Sequence, residues 1–150
     1  MSSSIRPHRI FAALGLLALL GTAACSDDKE EDQAAPAAAA TTSADLDGRS
    51  FSSTAVEGQT LVEGSTITLD FADGRVAANA GCNTLTGGYE IDGGGLSVDQ
   101  LASTMMACED DLQRQDEWLS EFLSAGPNVD LTDDALTLSS DDVTLTLTAG

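Results

Sequence analysis

Beyond residue 48 this chain alternates apolar and polar residues with a period of two, and that alternation restricts its fold more than any other feature. From Ser65 to Phe71 it puts Ile67, Leu69 and Phe71 on one face. From Val143 to Thr148 it sets leucine against threonine, the pattern of a strand with one buried and one wet face. Arg49 to Val56 reads as a first strand. Asp73-Gly74 reads as a hairpin turn, because both residue types tolerate positive φ, and Arg75 to Ala80 as the return strand. Gly87 to Ile91 and Gly95 to Val98 form a further hairpin around Asp92-Gly93-Gly94. Val129 and Leu131 lead into a last pair, Ala135 to Leu138 and Val143 to Thr148, around Asp141-Asp142.

One stretch breaks the rule. Leu112, Leu119, Phe122 and Leu123 share a helical face, with Trp118 beside it, which predicts a helix over 111–124. Its aromatic stripe reads as core packing. Asp110 is the expected cap, with Gln113 three positions on completing a capping-box-like pair. Asp110 and Asp111 suit the positive helix N-terminus, and Gly126-Pro127 ends the element. The tally is about eight strands and one helix, set between the fifth and sixth strands.

The first 24 residues read as an export signal. Arg6, His8 and Arg9 form a positive n-region, and Phe11 to Leu20 an apolar stretch too short for a membrane span, which needs about 20 residues. Thr22-Ala23-Ala24 then leads into Cys25. Small residues before a cysteine resemble a bacterial lipobox, in which the cysteine becomes a diacylglycerol thioether and carries fatty acyl chains such as palmitate. Thr22 stands where leucine is usual; the alternative is an ordinary secretory signal cut near Ala24. Acyl chains anchor strongly, at about 0.8 kcal/mol per buried methylene. Residues 25–45 read as a tether, acidic from Ser26 to Asp32 and then rich in alanine, threonine and proline, with a short alanine helix as the alternative. As flexible coil it reaches roughly 25 Å. The folded domain is expected over 46–150, exported and held at the envelope membrane through Cys25, and monomeric.

Charge and histidine usage narrow the function. Loss of Arg6 and Arg9 with the signal takes the formal net charge from −19 to −21, which opposes nucleic acid and anionic lipid headgroups as partners. Such acidity serves solubility; calcium binding is the alternative, though no EF-hand loop pattern is present. The single histidine, His8, lies in the signal. Without an imidazole the mature chain has no Ser-His or Cys-His couple and no histidine-ligated zinc site. With Cys25 lipidated, Cys82 and Cys108 remain, an even pair in an oxidising compartment that is expected to form a disulfide. No metal ligand set and no cofactor motif is identified.

The short motifs point to a family. They are Phe71-x-Asp73-Gly74-Arg75-Val76, then Gly81-Cys82-Asn83, Gly87-Gly88-Tyr89, and Leu101 through Cys108 (L-A-S-T-M-M-A-C). Glu117, Phe122 and Leu123 follow on the helix, and Leu136-Thr137-Leu138 on a closing strand. Together, over roughly Leu46 to Thr148, these resemble the META domain, or HslJ, family. The chain departs from its pattern at Phe51, where tryptophan is common, and at Thr84-Leu85. The resemblance implies an α+β, mostly β fold: a small antiparallel sheet or cracked β-barrel of about eight strands wrapping one α-helix, like that of pilotin lipoproteins. It also implies an envelope protein linked to stress or antibiotic tolerance, with no catalytic residues to carry over.

The motif residues Gly81, Asn83, Gly87, Tyr89 and Thr104 are therefore the candidates. The Asn83 amide and the Thr104 hydroxyl are expected to satisfy nearby backbone groups, with ligand contact as the alternative for Asn83. Met105 and Met106 are expected to fill the core; an adaptable apolar groove is the alternative. Asp70, Asp73, Glu90 and Asp92 could offer a carboxylate pair, but sit at or near turns and read as solvated. Three functions remain: a non-catalytic envelope binding or scaffold module, a carrier of lipid or another apolar ligand in the barrel, and a carboxylate-based hydrolase. The first is the reading adopted, with the partner unidentified.

Overall fold

A computed structural model describes residues 40–150. Among them the chain forms eight strands and two helices: α1 (Ser43–Leu46), β1 (Arg49–Glu57), β2 (Thr68–Ala72), β3 (Arg75–Asn79), β4 (Thr84–Asp92), β5 (Gly95–Ser103), α2 (Asp110–Ser124), β6 (Asn128–Thr132), β7 (Ala135–Ser139) and β8 (Thr144–Ala149). The strands pair antiparallel in chain order, and β8 returns to β1, so the sheet is a ring. The mostly-β expectation holds, as does the helix between the fifth and sixth strands.

The alternation read from the sequence becomes the wall of this ring. Ile67, Leu69 and Phe71 are all buried, as are Leu136, Leu138, Leu145 and Leu147, while Thr137, Thr144 and Thr146 lie between them at least partly exposed. Phe51, Phe71 and Tyr89 meet edge to face, at 6.0 and 4.9 Å between centroids, the arrangement the ring quadrupoles favour. The Asp73-Gly74 turn has φ of 53° and 69°, the left-handed pair of a type I′ hairpin.

The ring is weakest between β5 and β6. Only Gly95 and Asn128 are in register there, flanked by Leu96 N–H to Pro127 O and Val129 N–H to Gly94 O, both 2.8 Å. α2 packs against β5 and adds Leu119, Phe122 and Leu123 to the core, with Trp118 stacked on Phe122 at 5.7 Å. Gly87 lies opposite a bulge in β5, where Gln100 takes φ 52°. A Cβ on Gly87 would come within 2.7 Å of Asp99 O and 2.9 Å of Val98 Cγ1, so this family-motif position has room only for glycine.

Two expectations need correction. The domain was expected to hold one helix and to begin at 46. In the structure the segment from Thr41 already packs, through α1. Tyr89 Oη donates to Ser43 O (3.0 Å), Ile91 N–H to Ser43 Oγ (2.9 Å) and Leu131 N–H to Thr41 Oγ1 (3.2 Å), and Leu46 is fully buried. The Asp45 carboxylate accepts from the Thr42 hydroxyl and N–H, which holds its pKa below the usual value. Small polar residues read as linker because composition does not show that they satisfy strand backbone. The second correction concerns α2: its N-cap is Glu109, and Gln113 Nε2 donates to Cys108 O (2.7 Å) instead of closing a box with Asp110. The signal, Cys25 and most of the tether lie outside the described residues.

Candidate binding cleft

Asn83 is the centre of the candidate site. Asn79 shapes the turn before it: its Oδ1 accepts from Gly81 N–H (2.8 Å) and its Nδ2 donates to Asn83 O (2.9 Å). Gly81 takes φ 117°, and a Cβ there would stand 3.0 Å from Leu112 Cδ2, so glycine lets the turn lie against α2. Asn83 follows at 8% exposure.

Its amide links three segments. Oδ1 accepts from Thr104 Oγ1 (2.9 Å) and Met106 N–H (2.8 Å), and Nδ2 donates to Asp116 Oδ2 (3.0 Å). The Asn83 backbone N–H donates to the same Asp116 oxygen at 2.7 Å. Thr104 Oγ1 also accepts from Thr84 N–H (3.1 Å). Both side chains thus satisfy backbone, but across segments, where bonding within the Asn83 loop was expected, and Asn83 alone ties them to α2.

Asp116 and its neighbour Gln115 escaped the sequence reading. Gln115 is 3% exposed; its Oε1 accepts from Val62 N–H (2.6 Å), and its Nε2 donates to Ser65 Oγ (2.8 Å) and to Ala80 O. Asp116 is 5% exposed, and its Oδ1 has no hydrogen-bond partner. A signal existed: Asp116 falls four residues after Leu112 and three before Leu119, so an acid stood on the apolar face of the expected helix.

Cys82 and Cys108 form a disulfide with Cα atoms 6.2 Å apart. It fixes the far end of the strap 104–108, which runs without regular structure from β5 to α2. Met105 is 99% exposed and Met106 61%, the exposed large apolar side chains among the described residues. The expectation that they fill the core is wrong: the strap's backbone is drawn inward by Asn83, and its methionine side chains are left outside.

Between strap and helix lies an open cleft of about 690 Å³. Met105, Met106 and Leu85 line it, with Asn83 and Thr104 between them. α2 contributes Gln113, Asp116, Glu117, Ser120 and Glu121, which helical spacing sets on one face. Asp70, Asp73, Glu90 and Asp92 are exposed and lie outside it, and no cluster of three potential metal ligands occurs among the described residues. Gly87 and Tyr89 serve the sheet and core instead.

The META domain family model matches residues 44–149. Heat shock protein HslJ of Escherichia coli (strain K12) is 34% identical over 79 residues, 52% of this chain, and the match spans 56% of that relative's length. One NMR structure superposes with TM-score 0.60 at 29% identity, covering 72% of this chain and 94% of its own. Another, of a protein from Burkholderia xenovorans, gives 0.58 at 24% identity, covering 72% and 86%, and shares the fold.

Proposed function

This chain belongs to the META domain family, and from that premise we propose that it is a non-catalytic binding module of the bacterial cell envelope, anchored by a lipid on Cys25 and engaging its partner through the cleft between the methionine strap and α2. The observation that carries the reading is the exposure of Met105 and Met106 beside a hydrogen-bonded floor. Exposed flexible thioethers beside a fixed polar scaffold suit a surface that adapts to another molecule. Family membership supports the non-catalytic part, because it brings no catalytic residue to this sequence. Residues 40–150 also contain no histidine, and both their cysteines are tied in the disulfide. A carrier with ligand inside the ring is disfavoured, since Phe51, Ile67, Phe71 and Tyr89 occupy the core. The name of the E. coli relative, a heat shock protein, supports a role under heat stress.

Site-specific photocrosslinking in the host tests this. The full chain carries benzoylphenylalanine at position 105 or, as a control, at exposed position 148 on β8. Adducts from 105 and not 148, lost when Cys25→Ala releases the chain from the membrane, are the expected result. Equal adducts from both positions, or none from 105, contradict it.

A further inference from the structure

The charged groups in the cleft all have one sign. Asp116, Glu117 and Glu121 line it, and no lysine or arginine does. The nearest basic residue in sequence, Arg114, is turned to the other side of α2 and pairs with Asp111. Asp116 is the informative member. Its Oδ2 accepts twice from Asn83, while Oδ1, on a side chain more than nine-tenths buried, accepts nothing. A buried carboxylate oxygen without a donor is a standing electrostatic penalty that an incoming cation would relieve. The facing rim is apolar: Met105, Met106 and Leu85. Residues 104–107 of the strap are exposed and without regular structure, held by the Asn83 bonds and the disulfide, so a donor reaches Asp116 Oδ1 by displacing part of that hold.

We propose that the cleft selects an ammonium or guanidinium group presented beside an apolar side chain, the chemistry of a basic amphipathic peptide segment. This rests on the reading that the cleft is the binding surface. Charge complementarity decides the class: a neutral lipid leaves three carboxylates unanswered, and an anionic headgroup is repelled by them. A cleft of about 690 Å³ holds a few side chains, which suits one segment of a partner.

The test uses the oxidised mature chain, tether included, and three short capped peptides: alternating leucine and lysine, the same with glutamate for lysine, and the same with serine for lysine. NMR shifts of the Met106 amide and the methionine methyls report the site. Because the whole chain is acidic, variants separate local from general attraction. Glu117→Gln with Glu121→Gln should weaken the lysine peptide roughly 3- to 10-fold. Asp73→Asn with Asp92→Asn, the same change in net charge at the hairpin turns at the opposite ends of β3 and β4 from Asn83, should change binding less than about twofold, since exposed charges beyond a Debye length are screened. Both sites are exposed, so all four substitutions leave the core intact. Equal weakening by the two pairs overturns the proposal, as does absence of any shift at Met106. If the serine and lysine peptides shift Met106 equally, charge selectivity falls while binding at the cleft stands.

Discussion

Asn83 joins the turn after β3, the methionine strap and α2 through one short side chain and its own backbone. Removing its amide takes the Nδ2 donor from nearly buried Asp116 and the shared acceptor from the Thr104 hydroxyl and Met106 N–H, leaving Asp116 Oδ2 only the backbone N–H at 83. Asn83→Ala should therefore destabilise the domain by about 2–4 kcal/mol in urea unfolding. Asn83→Asp should be worse at neutral pH, because two carboxylates would meet at hydrogen-bond distance, and should recover as one takes up a proton in acid. Tyr89 carries a second pH effect. Burial, then the nearby Asp47 charge, raises its pKa above the usual phenol value. The fold thus favours the neutral phenol; this contribution is complete below about pH 10 and is lost as pH rises through the higher folded-state value. Urea midpoints measured upward from pH 9 should fall for the wild type and fall less for Tyr89→Phe. That Asn83 and Thr104 would bond backbone was legible from residue type, but their partners, Met106 N–H and Thr84 N–H, lie 23 and 20 residues away and were not. The Asp116 partnership was not, since it joins positions 33 apart in sequence.

At the scale of elements, the strands were legible wherever period-two alternation met a turn, as at Ile67 to Val76. α2 was legible from its apolar stripe, and its observed span Asp110–Ser124 is close to the expected 111–124. α1 was missed because four residues with one apolar anchor, Leu46, make no periodic pattern. The methionines were misplaced for a related reason: hydrophobicity alone does not distinguish a core residue from one on a strap whose backbone is held elsewhere. That holding has a measurable part. The disulfide spans a sequence separation of 26, and the chain-entropy model gives about 3–4 kcal/mol for such a loop. Cys82→Ser with Cys108→Ser should lower the unfolding free energy by about that much in urea. Amide exchange at Met106 should rise by more than this global loss explains, because the strap would be free at its helix end.

At the scale of the whole molecule, the ring of strands with an inserted helix is a frame that places one exposed methionine strap against one acidic helix face. Family and architecture were readable because the motifs around Cys82 and Cys108 include the turn glycine Gly81 and the hydrogen-bonding residues Asn83 and Thr104. The cleft was not readable, because its two sides meet only once α2 has docked through Gln115 and Asp116. The central claim is that partners bind there, and the sequence supplies the probe. Its methionines are Met1, Met105 and Met106, so the domain labelled with 13C-methyl methionine shows strap signals alone, and Trp118 gives a single indole signal. On titration with solubilised envelope from the host, both methyl signals should shift or broaden, and a Met105→Ser, Met106→Ser double variant should lose the interaction. If the Trp118 signal broadens, marking entry into a large complex, while both methyls keep their free positions and linewidths, the partner binds elsewhere and the account is contradicted.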